Sequence, residues 1–220
     1  MKKFDDLFEH AARRKGGREA LEALLPMPLS SDELATITDE RWLAMISRCV
    51  FQAGFSWKVI DKKWPGFEEA FAGFYPKRWM YMSDEDFESL LKDTRIVRHA
   101  IKIRSVRDNA TFLCDLAEEH GSAARFFAEW PVEEYAELLI LLKKRGSRLG
   151  GNSAQYFLRA MGKDSFITSR DMVTALIREG VITSTPTSQR DLRSVQQALN
   201  HWREESGRPL THISKVLSFT

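Results

Sequence analysis

Lys143-Lys144-Arg145-Gly146-Ser147-Arg148-Leu149-Gly150-Gly151-Asn152-Ser153-Ala154 is the stretch on which the architecture turns. Glu133 to Lys144 before it and Ser153 to Met161 after it both carry apolar residues at helical spacing. Three glycines between two helices predict a tight hairpin, because glycine reaches backbone conformations closed to other residues. Leu149 gives that hairpin one apolar side chain to bury. Arg148 stands where such a hairpin ordinarily has its first glycine. Four cations surround the turn, and the free N–H groups at the start of the following helix attract anions. The spacing is not that of a nucleotide P-loop. A basic glycine turn with no ligand is the other reading of the same residues.

Outward from the hairpin, the periodicity is helical almost throughout. No run of Val, Ile and Thr alternates with polar residues long enough to make a strand. The chain reads as roughly ten helices joined by short turns. Ser31-Asp32-Glu33, Thr38-Asp39-Glu40 and Ser83-Asp84-Glu85-Asp86 are expected helix starts. Gly54, Gly121, Gly162 and Gly180 are expected stops. Pro65-Gly66 predicts a break between one helix over 57–63 and another over 67–74.

The chain has 220 residues, enough for a buried core. Its 33 Lys and Arg nearly balance 31 Asp and Glu, for a net charge of +2. A polyanion would therefore meet a local patch, not a global field. Two cysteines, Cys49 and Cys114, exclude a disulfide framework and an all-cysteine zinc site. No apolar run approaches the ~20 residues of a membrane span. The start, Met1-Lys2-Lys3-Phe4-Asp5-Asp6, lacks the apolar stretch of a signal peptide, so a cytoplasmic protein is expected.

Two further constellations carry chemistry. In Cys49-Val50-Phe51-Gln52-Ala53-Gly54-Phe55-Ser56-Trp57 a buried helix ends in a glycine turn flanked by aromatics. An exposed Phe55 beside Gly54 suits a wedge between bases, and Trp57 a stacking face for an extruded base. The alternative is that both rings belong to the core. In Arg95-Ile96-Val97-Arg98-His99-Ala100-Ile101-Lys102-Ile103-Arg104 basic and apolar residues alternate. That is either a phosphate-binding face or a solvated helix face.

Taken together and in order, these pieces resemble the DNA-3-methyladenine glycosylase I family, a branch of the helix-hairpin-helix glycosylases. The family's Q-A-G-L-S-W appears as Gln52-Ala53-Gly54-Phe55-Ser56-Trp57. Its A-F-x-x-F matches Ala70, Phe71 and Phe74. Its I-I-R-x-x-x-K-I and later N-A match Ile96, Val97, Arg98, Lys102, Ile103, Asn109 and Ala110, and its K-K-R-G matches Lys143 to Gly146. The similarity runs from about Trp42 to about Gly162. It implies an all-α fold of two closely packed helical subdomains, forming one unit over 1–220. Residues 42–162 are the family core, 1–40 are divergent helices and 183–220 are a helical extension.

The departures are specific. The family has a base-recognising glutamate eight positions before the motif tryptophan, where this chain has Cys49. The family's structural zinc needs a Cys and a His near each end. Here no cysteine precedes Cys49 or follows Cys114, so neither metal nor cofactor is expected. Helical packing by Trp202, Leu210, Ile213, Val216 and Leu217 is expected to replace the zinc clasp.

The resemblance implies a monomeric glycosylase acting on alkylated purines in double-stranded DNA. Trp57 and Cys49 would line the base pocket, with Gln52 beside them. Gly54 and Phe55 would form the wedge. Arg98, Lys102, Lys144, Arg145, Gly146, Arg148, Gly150, Gly151, Asn152 and Ser153 would hold the backbone. Asp171 lies twenty-one residues after Gly150, close to the spacing at which the wider superfamily places a water-activating aspartate. With Thr168 and Ser169 it also reads as a helix start. Loss of the glutamate leaves two alternatives open: a protein that binds lesions without excising them, and a helical interaction domain.

Overall fold

The computed structural model describes residues 1–220, and every regular element in it is helical. α1 (Phe4–Lys15) buries Phe4, Leu7, Phe8, Ala11 and Ala12 on one stripe and stops at Gly16, φ +92°. α2 (Arg18–Glu22) follows. α3 (Ser31–Ala35) opens with a capping box between Ser30 and Glu33. α4 (Asp39–Gln52) and α5 (Trp57–Ala70) precede a 3-10 turn at Ala72–Phe74. α6 (Pro76–Trp79) comes next, and α7 (Asp84–Lys92) starts at the Ser83–Asp86 capping box. α8 (Ala100–His120), α9 (Ala123–Glu129), α10 (Tyr135–Arg145) and α11 (Asn152–Ala160) complete the middle of the chain. α12 (Arg170–Arg178), α13 (Gln189–Ser206) and α14 (Leu210–Leu217) end it.

Two expectations are corrected. There are fourteen α-helices, not ten. α2, α3 and α6 are four or five residues long, too short to display a period. The break at Pro65-Gly66 is absent, because α5 runs through both residues. An interior proline costs about 3 kcal/mol. Here the helix is held by what it buries. Ile60 and Phe67 are inaccessible, and Trp64 stacks on Phe67 and Phe74 with ring centroids 5.4 Å apart in each pair. Several such contacts, at about 0.5–1.5 kcal/mol per aromatic pair beyond burial, offset the lost hydrogen bond. Gly66 is needed for a close approach: a Cβ there would lie 2.8 Å from the Arg95 carbonyl oxygen.

The chain divides into two compact units. One comprises Met1–Leu29, Trp130–Ile140 and Gly162–Thr220. Within it α1 packs against α2, α13 and α14. The indole of Trp202 is fully buried and donates to the Lys2 carbonyl at 3.0 Å. Asp164 caps α14 by accepting from the N–H groups of Leu210 and Thr211, at 3.1 and 2.8 Å. The N- and C-terminal helices are thus joined by apolar packing and hydrogen bonds. No three His, Cys, Asp or Glu side chains form a group able to hold a metal, so the residues present do not fit a structural zinc.

The other unit comprises Ser30–Glu129 and Leu141–Met161. Its axis is α8, against which α4, α6, α7 and α9 pack. Trp42 of α4 stacks on Phe127 of α9 at 4.5 Å and meets the edge of Phe157 of α11. That cluster fixes α11 against α4. No helix is long and apolar enough to cross a membrane.

Candidate base cavity and nucleic-acid interface

All the pieces of the candidate site described first lie in the second unit. α4 ends at Gln52, whose carbonyl accepts the Phe55 N–H at 3.1 Å and closes a turn through Gly54, φ +76°. Lys102 in the first turn of α8 reaches this turn from beneath. Its side chain is 3% exposed, and its ammonium donates to the carbonyls of Phe51 and Ala53 at 3.1 and 2.5 Å. Lys102 therefore holds the loop from inside, whereas the sequence reading places it on a surface face. Burial, and next the nearby Arg148 guanidinium, push its pKa down to about 8.

The turn presents Phe55 outward. Its ring is 40% exposed, lies 4.3 Å from the Lys102 ammonium and meets His99 edge-on at 6.1 Å. Trp57, at the start of α5, is 49% exposed. Neither ring is in the core. Ser56 occupies the cap position of α5 but its side chain makes no capping hydrogen bond.

Beside the turn is a cavity of about 420 Å³. Cys49, Gln52, Ala53, Gly54, Phe55 and Trp57 form one wall, and Asn152, Ser153 and Tyr156 at the start of α11 form the other. Tyr156 meets Trp57 edge-to-face at 5.2 Å, so two aromatic rings border the space at right angles. Burial pushes the Cys49 thiol up to about 12, so it remains neutral at physiological pH. Gln52 is 8% exposed, and its amide nitrogen donates to Asp61 Oδ1 at 3.0 Å. Asp61 also accepts from Arg48 at 2.8 and 3.2 Å. No carboxylate lines the cavity. Sequence reading missed Tyr156, Asp61 and Arg48. Their signal is helical spacing: Tyr156 is four residues past Asn152 and Asp61 four past Trp57, one turn further along the same helices.

The hairpin follows. Gly146 is required, since a Cβ there would meet Leu149 Cδ1 at 2.6 Å and the Leu142 carbonyl oxygen at 2.9 Å. Leu149 is buried. Arg148 adopts φ +63°, the left-handed conformation that a glycine would take freely. Asn109 of α8 clamps the turn, donating to the Ser147 carbonyl at 3.0 Å and accepting from its N–H at 2.8 Å. Lys143, Lys144 and Arg148 are exposed and form no ion pair, whereas Arg145 is held by Glu119 through two hydrogen bonds of 2.8 and 2.7 Å. Gly151, φ +58°, opens α11 with no side-chain cap. Gly150 approaches the Lys143 stem. Arg98 is exposed in the segment just before α8.

Asp171 belongs to the first unit, as the second residue of α12. The capping role there falls to Ser169, whose hydroxyl accepts the Met172 N–H at 3.3 Å. Asp171 is exposed and lines a separate cavity of about 510 Å³ with Arg14, Lys15, Arg178 and Lys215.

An all-helical chain with a glycine hairpin, and with a cavity bordered by two aromatics at the hairpin's second helix, has the fold of a helix-hairpin-helix DNA glycosylase. Solved structures agree. A 3-methyladenine DNA glycosylase I matches at 28% identity and TM-score 0.50, over 63% of this chain and 82% of its own. An 8-oxoguanine DNA glycosylase of Methanocaldococcus jannaschii matches the fold at 16% identity and TM-score 0.58, over 95% of this chain and 90% of its own. Residues 34–140 match the family described as methyladenine glycosylase. The chain is also 30% identical over 131 residues to DNA-3-methyladenine glycosylase 1 of Escherichia coli, covering 50% of this chain and 70% of that one. The chain belongs to the methyladenine glycosylase family.

Proposed function

We propose that this chain is a monofunctional DNA glycosylase of base excision repair. It removes alkylated purines such as 3-methyladenine from duplex DNA, as a cytoplasmic monomer needing no metal or cofactor. The observation that carries the reading is the cavity between Trp57 and the start of α11, set directly beside the exposed cations of the hairpin. A duplex held by the hairpin presents one nucleotide at the cavity mouth.

The chemistry asks little of the protein. Methylation at N3 leaves adenine cationic, so the base is already a good leaving group and no strong general acid is required. The protein must extrude the nucleotide, select the base and tolerate an oxocarbenium-like sugar. Trp57 stacks on the base, favouring a cationic ring. Phe55 fills the gap left in the duplex. Backbone N–H groups of Gly150 to Ser153, with Lys143, Lys144 and Arg148, hold the adjoining phosphates. Arg98 adds a further phosphate contact.

A second reading is favoured by the lack of a carboxylate in the cavity: a protein that binds lesions or abasic sites with weak or no excision. One experiment separates them. Methylated duplex DNA is incubated with the purified protein and released bases are identified by chromatography. Release of 3-methyladenine above a no-enzyme control is expected. It should be abolished in Trp57→Ala. Binding to abasic duplex without any release would establish the second reading instead.

A further inference from the structure

Resting on that reading, we infer that Asp61 is a positioning residue. It fixes the Gln52 amide so that its carbonyl oxygen faces the cavity and selects bases bearing an exocyclic amino group over their oxo counterparts.

The polar side-chain groups of the lining residues are the Cys49 thiol, the Trp57 indole N–H, the Gln52 and Asn152 amides and the Ser153 and Tyr156 hydroxyls. A thiol is a weak donor and acceptor, so Cys49 reads no base edge. A glutamine amide is ambiguous, since one end donates and the other accepts. Here the ambiguity is removed. An ionised carboxylate only accepts, so the atom of Gln52 lying 3.0 Å from Asp61 Oδ1 must be the nitrogen. The reverse orientation would set two acceptors against each other. Gln52 is almost fully buried at the cavity wall, and its carbonyl oxygen has no partner within the protein.

Asp61 is itself held. Arg48 donates to the same oxygen from Nε and Nη2, and its guanidinium lies 5.5 Å from the centre of the Trp64 ring. Trp64 in turn donates to Glu68, which pairs with Arg41. The support therefore spans α4 and α5 and ends on one amide. A base with an amino group donates to the Gln52 carbonyl. A base with an oxo group at that position places acceptor against acceptor, and a buried mismatch of this kind costs about tenfold or more in affinity.

The test is calorimetric titration of the intact protein with two free bases. 3-Methyladenine presents the amino group, and 3-methylhypoxanthine presents an oxo group in its place. The wild-type protein is expected to prefer 3-methyladenine by at least about tenfold. In Asp61→Asn the partner both donates and accepts, Gln52 turns freely, and the ratio falls toward one. Combining Gln52→Glu with Asp61→Asn restores the ratio, because the introduced asparagine amide then donates to a side chain with acceptors at both ends. A merely structural Asp61 would not give that recovery. The inference is overturned by a wild-type ratio near one, by no binding of either base, by an unchanged ratio in Asp61→Asn, or by no recovery in the double variant. Abasic-duplex binding is measured in parallel on every variant. It depends on the hairpin, so it reports folding and the glycosylase reading separately from base selection.

Discussion

Phe55 and Lys102 form one device at the residue scale. The ring stands out of the turn because the ammonium beneath it ties down the carbonyls of Phe51 and Ala53. Truncating the ring, which is 40% exposed, should cost less stability than truncating a fully buried phenylalanine. Phe55→Ala is expected to weaken binding to abasic duplex about tenfold and to intact duplex much less, as read by fluorescence anisotropy. Equal losses would remove the wedge role. Lys102 supplies a pH signature. Its folded pKa of about 8 lies below the ~10.4 of an unfolded lysine. Between those values the unfolded chain binds more protons, so this group adds stability as pH rises through the window. Lys102→Met should cost about 1–3 kcal/mol by orphaning the two carbonyls. The wild-type Tm should also climb relative to the variant from about pH 7.5 to about pH 10. A difference that stays constant with pH would contradict the assignment.

The hairpin shows at the element scale how far sequence reaches. Gly146, Leu149 and Gly150 announce the turn, and the helices on both sides follow from their periodicity. Arg148 reads as a defect in the pattern. The structure shows it holding the glycine conformation at φ +63° with its side chain exposed. A left-handed non-glycine residue costs about 1–2 kcal/mol. Arg148→Gly should therefore raise stability by about 1 kcal/mol in denaturant unfolding while weakening duplex binding, and a variant that gains both would deny the arginine any contact with DNA. Other features are not legible, for physical reasons. Pro65 and Gly66 carry a strong local breaking signal, and only packing by distant aromatics overrules it. Helices of four or five residues have no measurable period. Lys102 reads as surface from its neighbours, because nothing local reveals that two carbonyls of another helix end await it. Gln52 and Trp57 are legible from their order in a known motif. Asp61 is not, since its significance lies in a hydrogen bond across two helices.

At the scale of the whole molecule the net charge of +2 gives no general attraction to DNA. Affinity must come from a few placed cations, and the structure distinguishes them. Lys143, Lys144 and Arg148 are exposed without ion pairs at the hairpin, and Arg98 is exposed ahead of α8. Arg145 is charged but occupied, since Glu119 takes both of its terminal nitrogens. That pair is exposed and worth little to stability, yet it leaves Arg145 no preference for a phosphate over its present partner. Each phosphate neutralised contributes about −0.9 to the slope of log K against log salt. With three or four such contacts the slope should be about −3 to −4. Lys144→Ala should reduce its magnitude by about one, and Arg145→Ala should leave it nearly unchanged. If both substitutions lower the slope equally, Glu119 releases Arg145 on binding and the hairpin engages one phosphate more than its free geometry provides. If neither does, the duplex lies elsewhere, and the cavity at Trp57 would have to receive its base without the hairpin's help.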